Sequence, residues 1–276
     1  MMLNDCNEEQ LIPYHAMDPT GRRVLVLAPH PDDETFGCGG TLARHAAAGD
    51  PVRVVILTDG SRGDFSGRYQ TADYIQLRQR EVLQATEILG ISDLHFWPFK
   101  DRQLATETPK AQAMLLELFE IYQPQRIYVP SVLEFHPDHR ATAHLLITLL
   151  NHMSDNPEVA FYEINQPLCV NTLVDITQVL KTKKAAIEVY KSQLAEQDYD
   201  DYVLALNRFR GQTLPPPVSH AEGFSLWPAA AIRRWLSTAN MADTTLKETV
   251  APGYTGILER QLPFLEFWFG LESSQQ

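Results

Sequence analysis

VLVLAPHPDDETFGCGG, Val24–Gly40, decides how the rest of the chain is read. Its first five residues are apolar, as in a strand covered on both faces within a parallel sheet. The run stops at Pro29. Pro29 and Pro31 flank His30 and turn the backbone away from a helix. His30, Asp32, Asp33 and Glu34 therefore gather in a turn at the strand's carboxyl end, the end at which open α/β sheets hold ligands. Gly37, Cys38, Gly39 and Gly40 are small enough to let a helix start close by.

Outward from this stretch the chain alternates. Thr35 to Gly49 reads as a helix and Val52 to Gly60 as a second buried strand, which completes a βαβ unit. A glycine- and charge-rich loop (61–70) precedes an amphipathic helix over Thr71 to Leu89, closed by Gly90. Leu94 to Phe99 reads as a third strand broken by Pro98. A helix over Pro109 to Tyr122 leads to a fourth strand, Arg126 to Ser131. That strand opens into VLEFHPDHRAT (132–142), followed by a helix from about Arg140 to His152. Strands at Val159 to Asn165 and Val170 to Ile176, a helix from Gln178 to Leu194 and a proline-rich connection at 212–220 follow. The pattern predicts an α/β fold with a mostly parallel sheet. Beyond Pro228, residues 229–276 read as a C-terminal extension, helical at first, whose aromatic end, Leu262 to Gly270, is expected to dock on the core.

Composition excludes several classes. The 276 residues carry a formal charge of −12, which disfavours nucleic acid or an anionic membrane as partner because both repel the protein's field. Cys6, Cys38 and Cys169 form no CxxC pair and support neither a disulfide framework nor a cysteine zinc ribbon. A reducing, cytoplasmic setting fits them. The N-terminal MMLNDCNEEQLIPYHAM has acids and no basic region, unlike a secretory signal. No stretch approaches the roughly 20 apolar residues of a membrane helix.

Two strand ends carry His/Asp clusters: His30, Asp32 and Asp33 at the first, His136, Asp138 and His139 at the fourth. If those strands are neighbours, their loops face each other across the topological switch point. Three ligands, His30, Asp33 and His139, then suit a catalytic metal with one position open, leaving Asp32, His136 and Asp138 unligated nearby. The plain rival is that these are ordinary polar loop residues. Asp32 has its own rival role as a helix N-cap, and Arg78 as half of a surface pair with Glu81. A dinucleotide site is disfavoured, since the G-x-G-x-x-G spacing fails at Leu42 although Asp59 sits where a ribose-binding acid would fall.

PHPDDETFGCGG (29–40) together with FHPDH (135–139) resembles the LmbE/PIG-L zinc-dependent N-deacetylases. LTDGSRGD (57–64), the Arg78/Glu81 helix, FKDRQL (99–104), KKAAIEVYKSQ (183–193), RFRG (208–211) and AEGF (221–224) extend the likeness over about residues 22–228. The resemblance implies a Rossmann-like three-layer sandwich in a deacetylase domain spanning 1–228. It implies hydrolysis of the N-acetyl group of an N-acetylglucosamine-type sugar or glycoconjugate, releasing acetate. It assigns Zn2+ to His30, Asp33 and His139, a donor set that also accepts Fe2+ or Co2+. Asp32 falls on the general base and His136 on the acid or oxyanion-stabilising histidine. Asp138 falls on a supporting carboxylate, expected to hydrogen-bond His136 and keep it charged. Arg78 and Asp101 match positions near the sugar. Where the family commonly carries Pro-Asp-Gly, this chain has Lys100-Asp101-Arg102, which adds two cations to the substrate rim. Another amidase or hydrolase on the same site, or a non-catalytic sugar-binding module, are the alternative functions. Oligomeric state is not legible.

Overall fold

A computed structural model describes residues 12–153 and 155–239. Val24–Ala28 forms the central strand β1, and none of its five residues has exposed surface. It pairs in parallel with β2 (Val52–Thr58) on one side and β4 (Arg126–Pro130) on the other. β3 (Asp93–Phe99) continues beyond β2, and β5 (Glu158–Tyr162) beyond β4, both parallel. β7 (Ala221–Pro228) runs antiparallel to β5 and carries β6 (Thr172–Asp175), also antiparallel, on its far side. The seven-stranded order is β3-β2-β1-β4-β5-β7-β6. The direction of winding therefore reverses between β1 and β4, and the loops that leave their carboxyl ends face one another.

Alternate residues of β1 and β2 point into two cores, as the pleat requires. Val24, Val26, Val54 and Ile56 pack with Phe36, Leu42, Val82 and Ala186. These come from α1 (Asp33–Ala47), α2 (Thr71–Ile88) and α5 (Leu180–Ile187). Leu25, Leu27, Val55 and Leu57 face the other way, onto Leu115, Phe119, Ala143 and Leu146 of α3 (Thr108–Tyr122) and α4 (Pro137–Leu149). This is the three-layer α/β sandwich expected. α8 (Ala229–Ala239) buries Ala229 and Ile232 against the second core, so the extension begins packed on the body. Its aromatic end, 262–270, lies outside the described residues.

Several boundaries differ from the sequence reading. β3 runs on through Pro98, but its register with β2 slips there by one residue, between Phe96 and Phe99, a bulge that an edge strand tolerates. The helix expected over Gln178 to Leu194 is two, α5 and α6 (Lys191–Leu194), separated by a turn at Tyr190. That turn lets the Tyr190 hydroxyl donate to Glu34 Oε1 at 2.5 Å while Ser192 N–H and Oγ–H donate to Glu81. Between the helices and the proline-rich connection lies α7 (Tyr199–Arg210), and AEGFSLWP, which follows that connection, is a strand. Two boundaries matter for chemistry: α1 starts at Asp33 rather than Thr35, and α4 at Pro137 rather than Arg140. Pro137 at the first position suits a helix start, since its missing N–H would have had no partner there.

Candidate active site

The early start of α4 puts Asp138 and His139 in its first turn, aimed across the crevice at the loop that follows β1. His30 Nδ1 lies 3.2 Å from Asp33 Oδ2 and 3.2 Å from His139 Nε2, and His139 Nε2 lies 3.2 Å from the same Asp33 oxygen. Three donor atoms thus form a near-equilateral triangle. Ligands held at about 2.0–2.1 Å around a tetrahedral ion stand roughly 3.3 Å apart. The two clusters predicted to meet do meet.

The outer nitrogens of both rings face carboxylates, which favours a proton on each. His30 Nε2 faces Asp138 Oδ2 at 3.3 Å and Asp101 Oδ1 at 3.5 Å, so its N–H belongs there. His139 Nδ1 faces Glu134 Oε2 at 3.3 Å, and Glu134 is itself tied by the N–H groups of Asn165. With those protons outward, two imidazole lone pairs and a carboxylate oxygen converge on one point. A divalent cation suits that arrangement. When protons must supply the charge, the histidines climb: burial works to lower His139, but Asp33 and Glu134 overcome it and hold it up at about 9. Burial likewise opposes the charge on His30, and the carboxylates of Asp101, Asp138 and Asp33 raise it well above the ordinary imidazole range. Asp33, despite burial, is pulled far down by His139 and His30.

A second acidic group, His30, Asp101, His136 and Asp138, lies on the other side of the His30 ring. Its carboxylates are already engaged by backbone donors. Asp138 Oδ2 accepts from Arg102 N–H at 2.5 Å and Asp138 Oδ1 from Leu104 N–H at 3.3 Å, while Asp101 Oδ2 accepts from Arg62 N–H at 3.0 Å. These groups orient His30 rather than compete with its inner nitrogen.

Asp32 stands at the N-cap position of α1, but its carboxylate makes no capping bond and accepts instead a 2.7 Å hydrogen bond from Arg78 Nη2. Burial raises Asp32 to about 7, against the pull of Arg78. Arg78 is no surface residue. It is 2% exposed and donates also to the carbonyls of Gly60 and Pro31, at 2.9 and 3.0 Å. Gly60 has φ +61, and a Cβ there would collide with the guanidinium, so its glycine serves both the turn and the close approach.

The expected Asp138–His136 pairing needs correction. Asp138 does not hydrogen-bond His136 through its carboxylate; its backbone N–H donates to His136 Nδ1 at 3.2 Å, with His136 as the N-cap of α4. Nδ1 is thus an acceptor and Nε2 carries the proton. The ring is accordingly neutral, pushed down to about 4 by burial and by the His30 and His139 rings. Arg78 and Asp101, expected near the sugar, are both buried beside the inner groups, Asp101 with Oδ1 3.5 Å from His30 Nε2 and 3.9 Å from His136 Nε2. Asp59, the candidate ribose acid, accepts from Ser61 and Asp101 N–H and ties those two loops together. Glu134 was missed. Its signal was its place five residues before His139 in the same strand-end loop.

A doubly wound sheet with a metal-type donor cluster at its switch point defines a class of α/β metal-site enzymes. The family described as GlcNAc-PI de-N-acetylase (PIG-L) matches residues 25–150. The chain is 30% identical over 201 residues to the diacetylchitobiose deacetylase of Thermococcus kodakarensis, covering 65% of this chain and 73% of that protein. It is 29% identical over 204 residues to the probable N-acetyl-alpha-D-glucosaminyl L-malate deacetylase 2 of Bacillus anthracis, covering 66% and 88%. Among solved structures, N,N'-diacetylchitobiose deacetylase from Pyrococcus horikoshii superposes with TM-score 0.69 at 23% identity, over 83% of this chain and 94% of that one. The 4-carboxy-2-hydroxymuconate hydratase of Pseudomonas putida does so with TM-score 0.61 at 26% identity, over 74% and 95%. The chain belongs to the PIG-L/LmbE family.

Proposed function

We propose that the protein is a metal-dependent hydrolase that removes the N-acetyl group from an N-acetylglucosamine-type amino sugar or glycoconjugate, releasing acetate. The observation that carries this reading is the 3.2 Å triangle of His30 Nδ1, Asp33 Oδ2 and His139 Nε2 with the unligated carboxylate of Asp32 beside it. The deacetylases among its relatives share an N-acetylated glucosamine unit in their names and differ in what is attached to it. Zn2+ is the ion we assign, with Fe2+ or Co2+ compatible with the same donors.

His30, Asp33 and His139 would hold a divalent ion, which would supply Lewis acidity and make water at the site more acidic, toward a pKa of about 7. Asp32, set near neutrality by burial, takes the proton of the attacking water, and efficient general bases have pKa values near the working pH. Arg78 holds that carboxylate in one orientation and keeps it from rising further. Neutral His136 offers Nε2–H to the acetyl oxygen as negative charge grows on it; removing such a donor costs about 100- to 1,000-fold in rate. A neutral imidazole has no second proton to give, so Asp32 passes the proton it has taken to the departing amine. Asp138 accepts the His30 Nε2–H with Asp101 beside it, and Glu134 faces His139 Nδ1 at 3.3 Å.

Residues up to Pro228 form the catalytic unit in this reading, and 229–276 an extension. Unpaired Cys38 and Cys169 support a reducing, cytoplasmic setting. No described helix is long and apolar enough to cross a membrane. The test is acetate release from N-acetylglucosaminides by the zinc-loaded protein. Stoichiometric acetate and free amine support the proposal; water addition to an unsaturated carboxylate, with no acetate from any acetamido sugar, overturns it in favour of hydratase chemistry.

A further inference from the structure

Two motifs of the sequence, RFRG (208–211) and AEGF (221–224), take no part in the chemistry above. The fold brings them together on one residue. Arg210 Nε donates to Glu163 Oε2 at 3.0 Å and Arg210 Nη2 donates to Glu163 Oε1, with both side chains buried. Gly223 leaves room for the pair, since a Cβ there would stand 2.8 Å from Glu163 Oε2 and 3.2 Å from Arg210 Nε. Glu163 Oε1 also accepts Leu168 N–H at 2.7 Å, and Arg210 Nη2 donates to the Leu168 carbonyl at 2.8 Å. The loop after β5, residues 163–168, is therefore pinned at both ends by one bidentate ion pair, an arrangement that fixes geometry as well as adding energy.

Asn165 lies between the pinned ends, at the surface. Its donors nevertheless turn toward the metal site. Asn165 N–H donates to Glu134 Oε1 at 3.1 Å and Asn165 Nδ2–H to Glu134 Oε2 at 3.0 Å. Oε2 is the oxygen that faces His139 Nδ1 at 3.3 Å. Arg140 holds the backbone on either side, with Nη1 donating to the carbonyls of Glu134 and Phe135 at 2.8 and 2.5 Å. Glu134 is buried, and a carboxylate withdrawn from water is costly unless donors reach its oxygens. One residue of a pinned loop supplies a donor to each of them.

We infer that Asn165 is a positioning residue for the metal site: through Glu134 it sets the orientation of His139, although it makes no hydrogen bond to His30, Asp33 or His139. The inference rests on the metal assignment in the deacetylase reading. It extends the site to a loop, and to two motifs, outside the histidine clusters.

Zinc affinity tests it, read by competition with a chromophoric chelator rather than by turnover. Asn165→Ala removes the Nδ2–H donor, and Asn165→Asp keeps the shape but sets a carboxylate against Glu134. Asn165→Ala should weaken zinc binding about tenfold, the lower end of the range for residues that orient a metal ligand. Asn165→Asp should weaken it at least as much. In a Glu134→Ala background neither substitution should cause a further loss, because residues that act through one contact are not additive. An asparagine that merely supports the loop would cause the same loss with and without Glu134. That outcome, or parental affinity in either single variant, overturns the inference and leaves the metal assignment standing. A parent protein that binds no zinc overturns the assignment and this inference with it.

Discussion

Arg78 Nη2 lies 2.7 Å from Asp32 Oδ2, and both side chains are withdrawn from solvent. Burial alone would carry Asp32 higher than the value of about 7 at which it stands, and Arg78 opposes that rise. Removing the guanidinium in Arg78→Met should therefore raise the Asp32 pKa. The acid limb of the pH–rate profile should move to higher pH by about 1–3 units, the size of effect an adjacent opposite charge has on a carboxylate. Turnover on the acid side falls most, and Arg78→Lys recovers part of the shift. A loss of rate equal at every pH contradicts the pairing.

His136 Nδ1 is occupied by the Asp138 N–H, so in the proposed reaction the working atom is a neutral Nε2–H. His136→Ala should cost about 100- to 1,000-fold in kcat, while His136→Gln, which retains an N–H donor, should recover much of it. If the two variants are equally impaired, a charged imidazole is required and the neutral assignment is wrong.

Glu134 Oε2 stands 3.3 Å from His139 Nδ1. Carboxylates in that position orient a metal-bound imidazole, and losing one weakens metal affinity by about 10- to 100-fold. Glu134→Ala should show that loss in a zinc titration followed by competition with a chelator. Unchanged affinity rejects the role.

Glu222 Oε1 accepts from Lys183 Nζ at 2.6 Å, and the two Glu222 oxygens take Gly40 and Thr41 N–H at 2.8 and 2.7 Å. These donors follow Cys38, where α1 leaves helical geometry. Lys183 is 0% exposed. Glu222→Gln leaves its ammonium buried without a counter-charge, at a cost of about 3–5 kcal/mol. Urea unfolding of the metal-loaded variant should show this; a change within error places the pair outside the stabilising network.

The sequence carried the site further than it carried the second half of the fold. β1 and β2 were legible because they are buried on both faces and read as unbroken apolar runs. The two histidine motifs were legible because prolines mark where each strand stops. α7 and β7 were not: Asp200 and Asp201 mask the buried positions Val203, Asn207 and Arg210, and Gly223 interrupts the strand pattern where a Cβ would meet Glu163 and Val170. Arg78 shows a deeper limit. Spacing offers it Glu81 as a partner, whereas the fold sends Glu81 to Ser192 and Arg78 to Asp32, 46 residues away. Long-range pairings of that kind depend on which loops the sheet order brings together.

The account depends on one ion held by His30 Nδ1, Asp33 Oδ2 and His139 Nε2. A crystal of the zinc-loaded protein, measured on both sides of the zinc absorption edge, locates that ion directly. The account predicts a single anomalous peak about 2.0–2.2 Å from each of the three atoms. A peak lying instead among His136, Asp101 and Asp138, on the far side of the His30 ring, or no peak at all, contradicts it.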